Sequence, residues 1–281
     1  MIIGIIGTGT MGNGIAQAFA QSGYDVIMKD LSNEFLQKAL KTIENSLTRL
    51  VAKDKISENE KQQTLAHIHT TLVYDDIKDC VLIVEAIAEN IELKKSVFRE
   101  LDEVCSAETI LATNSSSLSI TELAACTKRP EKVIGMHFFN PVPMLKLVEL
   151  IKGQLTSDQT FEFVSNVAKE IGKTPVSVEE APGFLVNRLL IPMINEGIAA
   201  YAEGVATKED IDEAMKLGAG HPIGPLALAD LIGLDVCLAI MEVLHNEFGD
   251  DKYRPHPLLR KMVRANQLGR KTGIGFYDYR L

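Results

Sequence analysis

The chain has 281 residues, 46% of them hydrophobic, and a formal net charge of −9. That length holds one large domain or two ordinary ones, and the hydrophobic share fills a substantial core. The acidic balance speaks against nucleic acid or an anionic membrane as partner, although a local basic pocket can still take a phosphorylated small ligand. Cys80, Cys105, Cys126 and Cys237 form no C-x-x-C pair. They read as reduced thiols, with no metal site expected. Met1 to Ala20 is apolar but lacks a basic leader and is interrupted by Gly4, Gly7, Gly9, Gly12 and Gly14. No run approaches the length of a membrane span, so a cytoplasmic protein is expected.

Ile2 to Ile6 reads as a short buried strand, followed by a glycine turn and a helix through Ile15, Ala16, Phe19 and Ala20 that Gly23 stops. Asp25 to Lys29 is a second strand, ending at Asp30. A long amphipathic helix is expected from Asn33 to Ala52, and another from about Ser57. Further strands fall at Val81 to Glu85, Ile110 to Ala112 and Val133 to His137. Asn140-Pro141-Val142-Pro143 breaks the pattern, and Lys146 to Ile151 resumes it. Short apolar strands separated by helices imply a Rossmann-type, mostly parallel α/β sheet covered on both faces. Beyond Ala181-Pro182-Gly183 the patterns are helical. One helix is expected from Gly183 to Glu203 with a kink at Pro192, and the next is capped by Thr207 and ended by Gly218-Ala219-Gly220. The expected organisation is a dinucleotide-binding domain over 1–182 and a smaller all-helical domain over 183–281.

Gly7-Thr8-Gly9-Thr10-Met11-Gly12 is a G-x-G-x-x-G that follows a strand and opens a helix, the context the motif requires. Gly7 allows the tight turn, Gly9 lets backbone approach a pyrophosphate, and Gly12 lets helix pack on strand. The helix N-terminus, at Thr10 and Met11, offers N–H groups to phosphate. Asp30, at the end of the second strand, is placed to accept from the ribose hydroxyls. A 2′-phosphate would meet its charge, which favours NAD over NADP; the neighbouring Lys29 keeps NADP open.

Of six histidines, His67 and His69 lie in a polar stretch, His245 and His256 look like surface or loop residues, and His221 precedes a proline in a turn. His137 ends a strand of the nucleotide domain, on the edge where such sheets bind ligands. If Val133–Phe138 and Lys146–Ile151 form a hairpin centred near Pro143, Glu149 faces His137. A carboxylate there fixes the imidazole tautomer for acid–base work; a simple cross-strand pair is the other reading. Thr113 to Ser117 follow another strand at the same edge. Their polar side chains suit a substrate oxygen or cofactor, or the cap of the helix that begins near Ser119. Asn187, taken alone, is a capping or solvent-facing residue. Ser46 and Lys53 are seven apart on one expected helix face, with Lys38, Lys41 and Arg49 nearby, and by themselves make a solvated face.

Together these segments resemble the L-3-hydroxyacyl-CoA dehydrogenases, and within them the bacterial 3-hydroxybutyryl-CoA dehydrogenases. The resemblance runs through the Gly7–Gly14 turn, Val84-Glu85-Ala86-Ile87-Ala88-Glu89-Asn90, Asn114-Ser115-Ser116-Ser117-Leu118 and the stretch from Gly135 to Pro143. It continues through Ala181-Pro182-Gly183-Phe184, Asn187-Arg188, His221-Pro222-Ile223-Gly224-Pro225 and Gly269-Arg270-Lys271-Thr272-Gly273. The family's Asn-Thr-Ser-Ser reads Asn-Ser-Ser-Ser here, a loss of one methyl. The resemblance implies that His137 is the acid/base, Glu149 its partner, and that Ser116 and Asn187 contact the reacting oxygen. It assigns Asp30, Glu89, Lys94, Asn114, Ser116, Asn140 and Lys271 to the cofactor and Ser46 and Lys53 to the CoA moiety. A homodimer formed through the helical domain is also implied.

The implied reaction interconverts (S)-3-hydroxybutyryl-CoA and acetoacetyl-CoA with NAD(H), in the setting of fatty-acid or butanoate metabolism. The expected reaction site is a cleft between the two domains. Two rivals stand beside it. One is a dehydrogenase of a hydroxy acid without CoA, which the same architecture permits. The other is a catalytically silent NAD-binding protein, whose expected mark would be a missing acid/base pair.

Overall fold

The computed structural model describes residues 1–280 and divides into two compact units, Met1–Glu180 and the chain from Ala181 onward. In the first unit β1 (Ile2–Ile6), α1 (Thr10–Gln21), β2 (Asp25–Lys29), α2 (Asn33–Val51), α3 (Glu58–Ala66) and β3 (Ile68–Thr71) come first. Then follow β4 (Leu82–Glu85), α4 (Ile91–Val104), β5 (Ile110–Thr113), α5 (Ile120–Ala124), β6 (Val133–Phe138), β7 (Leu147–Lys152), α6 (Asp158–Glu170) and β8 (Thr174–Glu179). The strands form one sheet in the order β3-β2-β1-β4-β5-β6-β7-β8.

β1 to β6 are parallel to their neighbours, β7 runs antiparallel to β6, and β8 is parallel to β7. The first six strands thus have the doubly wound order, which reverses direction between β1 and β4. Central strands such as β4, β5 and β6 are buried along their whole length, because helices cover both faces. Ile3, Ile5, Ile15, Phe19, Met28, Leu36, Ile43, Val84 and Ile134 belong to that core.

Two strands escaped the sequence pattern for one reason. β3 buries only Ile68 completely and β8 only Val178, since both are edge strands with one neighbour. Pro175 within β8 fits an edge, where a missing N–H is tolerated.

In the second unit α7 (Val186–Ala202), α8 (Lys208–Ala219), α9 (Pro225–Ile232), α10 (Leu234–Phe248) and α11 (Pro257–Arg264) surround a separate core. Ile191, Ile194 and Ile198 of α7 meet Leu226, Cys237, Met241, Leu244 and Leu259 there. α7 starts three residues later than the expected Gly183, because Gly183 and Phe184 take positive φ, 74° and 52°. It continues through Pro192. Thr207 caps α8 by accepting from Asp210 N–H at 3.1 Å, and Gly220 ends it in the left-handed conformation. Among the described residues no helix is long and apolar enough to cross a membrane.

Candidate active site

The glycine turn leaves β1 at the point where the sheet order reverses. Gly7 has φ +86°, and a Cβ there would stand 2.8 Å from the Ala86 carbonyl oxygen; a Cβ on Gly12 would stand 1.8 Å from that of Gly7. Both positions therefore require glycine. A Cβ on Gly9 would meet nothing within 4 Å, so that backbone is open to an approaching group. The first bond inside α1 runs from Asn13 N–H to the Gly9 carbonyl, 3.0 Å. The N–H groups of Thr10, Met11 and Gly12 thus lack intrahelical acceptors, as at any helix start. The Met11 side chain instead packs against the core.

A cavity of about 600 Å³ opens beside this turn, lined among others by Gly9, Asn13, Asp30, Phe35, Lys38 and Ala88. Asp30 is held from both sides. Thr8 donates to its Oδ2 from the amide (2.7 Å) and the hydroxyl (2.6 Å), and Leu31 N–H donates to Oδ1 (2.7 Å). Lys29 is buried with its ammonium 3.7 Å from the centre of the Tyr74 ring. Burial lowers its pKa, with Glu100 and Asp30 acting the other way. Phe35, Lys38, Ala39 and Thr42 recur at helical spacing and bring one face of α2 to the cavity. Lys38 therefore lines this cavity, where a solvated helix face was expected for it. These features fit a dinucleotide: a glycine cradle, available N–H groups and a pre-oriented carboxylate.

A second group gathers at the carboxyl ends of β4, β5 and β6. His137 Nδ1 lies 2.7 Å from Glu149 Oε2, with His137 6% and Glu149 0% exposed. The antiparallel register puts these two residues opposite each other, as the hairpin pattern predicts. With the carboxylate accepting at Nδ1, the imidazole carries its proton there, and Nε2 is the nitrogen that exchanges one. The Phe139 ring lies 4.4 Å from the imidazole, centroid to centroid. Lys173 donates to the carbonyls of Val142 and Leu145 and so ties down the loop between β6 and β7. Asn140 stands exposed in that loop, before the cis peptide bond to Pro141.

The loop after β5 is organised by Glu89. Its Oε1 accepts from Ser115 Oγ (2.6 Å), Ser116 N–H (2.8 Å) and Ser116 Oγ (3.3 Å). Burial opposes ionisation of this carboxyl, but the Lys94 ammonium and the Ser115 and Ser116 hydrogen bonds outweigh it and hold its pKa below the ordinary value. Ser119 is the serine that caps α5, accepting from Glu122 N–H at 3.0 Å. The cap of α5 is therefore not one of the residues 113–117. Asn114 Oδ1 accepts from Phe138 N–H (2.9 Å) and ties this loop to the end of the His137 strand.

Lys94, expected at the cofactor, turns inward to carboxylates. It is 1% exposed, and its ammonium is turned to Glu85 (2.7 Å) and Glu89 (3.4 Å). Lys53 departs too: α2 ends at Val51 with Ala52 as cap, so Lys53 follows the helix and shares no helical face with Ser46. Ser46 is half-buried on α2 and Lys53 is exposed. In the second unit Asn187 is the second residue of α7, half-buried. Lys271 is exposed and pairs with Asp235 at 2.6 Å. Thr8 and Glu85 were not singled out by sequence, and Thr113, read with the serine loop, instead donates inward to Glu85. The only sign for Thr8 is its place between two glycines ahead of an acidic strand end.

The four cysteines are free thiols, and burial pushes Cys80 up to about 12 and Cys105 to about 11. They are inert at neutral pH. Among the described residues no group of His, Cys, Asp and Glu is placed to hold a metal ion.

A doubly wound sheet with this glycine turn, and an imidazole–carboxylate pair along the same sheet edge, define a dinucleotide-dependent dehydrogenase. Comparison with known proteins narrows the class. Residues 2–181 match the 3-hydroxyacyl-CoA dehydrogenase NAD binding domain, and residues 183–279 match the C-terminal domain of the same family. The chain is 62% identical over 279 residues to a 3-hydroxybutyryl-CoA dehydrogenase of Clostridioides difficile, covering 99% of each chain. It is 46% identical to the human mitochondrial hydroxyacyl-coenzyme A dehydrogenase, covering 98% of this chain and 90% of that one. The crystal structure of an (S)-3-hydroxybutyryl-CoA dehydrogenase from Ralstonia eutropha superposes with a TM-score of 0.97 at 52% identity, covering 100% of this chain and 99% of that one. The chain belongs to the 3-hydroxyacyl-CoA dehydrogenase family, as an oxidoreductase with an NAD-binding Rossmann domain and a C-terminal helical domain.

Proposed function

We propose that this enzyme interconverts (S)-3-hydroxybutyryl-CoA and acetoacetyl-CoA, with His137 as the acid/base. The observation that carries the reading is the buried 2.7 Å contact between His137 Nδ1 and Glu149. NAD, which the Gly7–Gly12 turn and Asp30 would hold, would supply the acceptor for the hydride leaving C3 of the hydroxyacyl chain. In that direction His137 Nε2 receives the proton of the 3-hydroxyl, and Glu149 stabilises the imidazolium. In the reverse direction His137 returns the proton to the oxygen on which charge develops. Ser116 turns its single hydroxyl proton from the 3.3 Å contact with Glu89 to donate a hydrogen bond to that oxygen. Asn187 of the helical unit is assigned to the same oxygen by its place in the family pattern.

The cofactor residues are Gly7, Gly9, Thr10, Met11 and Gly12 through their backbone, Asp30 through its carboxylate, and Glu89, Asn114, Ser116, Asn140 and Lys271. Lys94 serves through Glu89. Ser46 and Lys53 take the CoA moiety. Asp30 favours NAD, because a 2′-phosphate would face its charge. The division of labour puts the nucleotide in 1–182, and substrate and dimer contacts in 183–281. Support for a homodimer comes from exposed apolar side chains of the helical unit, among them Leu189 at 67% and Leu217 at 79%. A cytoplasmic location follows the bacterial relatives.

NADH oxidation with acetoacetyl-CoA, compared with free acetoacetate, tests the substrate class. Turnover of the thioester alone is expected. Turnover of the free acid with none of the thioester would select a hydroxy-acid dehydrogenase without CoA.

A further inference from the structure

We infer that Glu85 is a positioning residue for catalysis, holding Ser116 in place through two separate routes that start from its buried carboxylate. Glu85 is the last residue of β4 and is fully buried. Its two carboxylate oxygens have different partners. Oε1 accepts from Lys94 Nζ (2.7 Å) and Ile87 N–H (2.6 Å), and Oε2 accepts from Thr113 Oγ1 (2.7 Å).

Each side leads to the serine loop. From Oε1 the chain passes through Lys94 to Glu89 Oε2 (3.4 Å), whose other oxygen accepts from Ser115 and from both the amide and hydroxyl of Ser116. From Oε2 it passes through Thr113, whose hydroxyl oxygen accepts from Ser115 N–H (3.1 Å). Ser115 is itself fully buried, and its Oγ accepts from Leu118 N–H at 3.0 Å. The two routes converge on Ser115 and Ser116 and close a ring around the start of the loop.

Stability alone is a weak reason for this arrangement. A carboxylate and an ammonium at 0% and 1% exposure lose their hydration, and apolar residues of like volume hold a sheet about as well. What the ring supplies is geometry. Glu85, Lys94, Glu89 and Thr113 each bond at least two partners, and these shared contacts tie the loop to one conformation. A donor to a developing oxyanion acts only if it is in position before charge develops.

The inference rests on the proposed role of Ser116, and the test separates the two. Kinetics of Glu85→Gln, Thr113→Val, Thr113→Ser, Ser116→Ala and the Glu85→Gln/Ser116→Ala double variant are compared, with the NADH dissociation constant read by fluorescence and folding by thermal melting. Glu85→Gln and Thr113→Val are expected to lower kcat by about tenfold or more, with NADH affinity within about threefold of the parent. Thr113→Ser restores kcat. In the Ser116→Ala background Glu85→Gln costs little further activity, because residues acting as a unit are not additive. Full activity of Ser116→Ala would remove that serine from the chemistry and leave Glu85 nothing to position. With Ser116→Ala impaired, equal losses from Glu85→Gln in both backgrounds would overturn the inference. If Glu85→Gln fails to fold, the Thr113 pair decides: a Thr113→Val variant with parental kcat would overturn it equally.

Discussion

Thr8 brings an amide and a hydroxyl to one oxygen of Asp30. Two donors from Thr8 occupy Asp30 Oδ2 and fix the carboxylate toward the cavity. Thr8→Val keeps the shape and removes one hydrogen bond to a charged acceptor, a loss on the order of 1.5–3 kcal/mol. The expected outcome is a narrowing of the NAD-over-NADP preference in kcat/KM by about tenfold, with Thr8→Ser restoring it. An unchanged ratio would detach Thr8 from specificity. At the second centre Glu149→Gln keeps a polar partner for the imidazole but removes the charge that stabilises its protonated form. A kcat lower by about 10²-fold is expected, and parental turnover would make the pair merely structural. The pairing of His137 and Glu149 was legible in sequence only on the assumption of a hairpin centred near Pro143; the period-two pattern marks both strands, and the structure supplies the register. Glu85 was not, because its partners are 9 and 28 residues away in sequence and meet only once parallel strands align.

Glu89 belongs to the scale of the element, since it fixes the whole loop after β5. Its folded pKa lies below its ordinary value, so ionised Glu89 stabilises the fold. That contribution is complete above the unfolded value of about 4.3 and is lost as pH falls through the folded pKa. The melting-temperature gap between the parent and Glu89→Gln should be constant near neutral pH and shrink below about pH 4. A gap independent of pH would show that the carboxylate's charge does not hold the loop. Phe35, Lys38 and Thr42 of α2 line the nucleotide cavity, while Ser46, further along α2, and Lys53, beyond its end, are proposed to take CoA. Lys53→Ala should raise KM for the thioester severalfold with little change in kcat; an unchanged KM would return Lys53 to the solvated surface. Element existence was readable wherever burial was two-sided or strictly amphipathic. It failed at β3 and β8, where an edge strand buries a single residue and leaves no period to read. Lys53 was misplaced because the seven-residue spacing from Ser46 was read as helical although Lys53 lies beyond both the expected end at Ala52 and the observed end at Val51.

At the scale of the molecule, two units with separate cores divide the work. The Rossmann unit owns the glycine cradle, Asp30, the serine loop and the imidazole–carboxylate pair, all on one edge of one sheet. The helical unit exposes leucines that a monomer would leave wet, and Leu189→Asp is expected to convert a dimer to a monomer in sedimentation. A parent already monomeric would refute the dimer. The central claim is that the imidazole of His137 moves the proton while other groups bind the cofactor. The most direct measurement is steady-state reduction of acetoacetyl-CoA by His137→Gln alongside its NADH dissociation constant. The account predicts kcat lower by about 10²–10⁴-fold with NADH affinity retained, and near-parental kcat in that variant would contradict it.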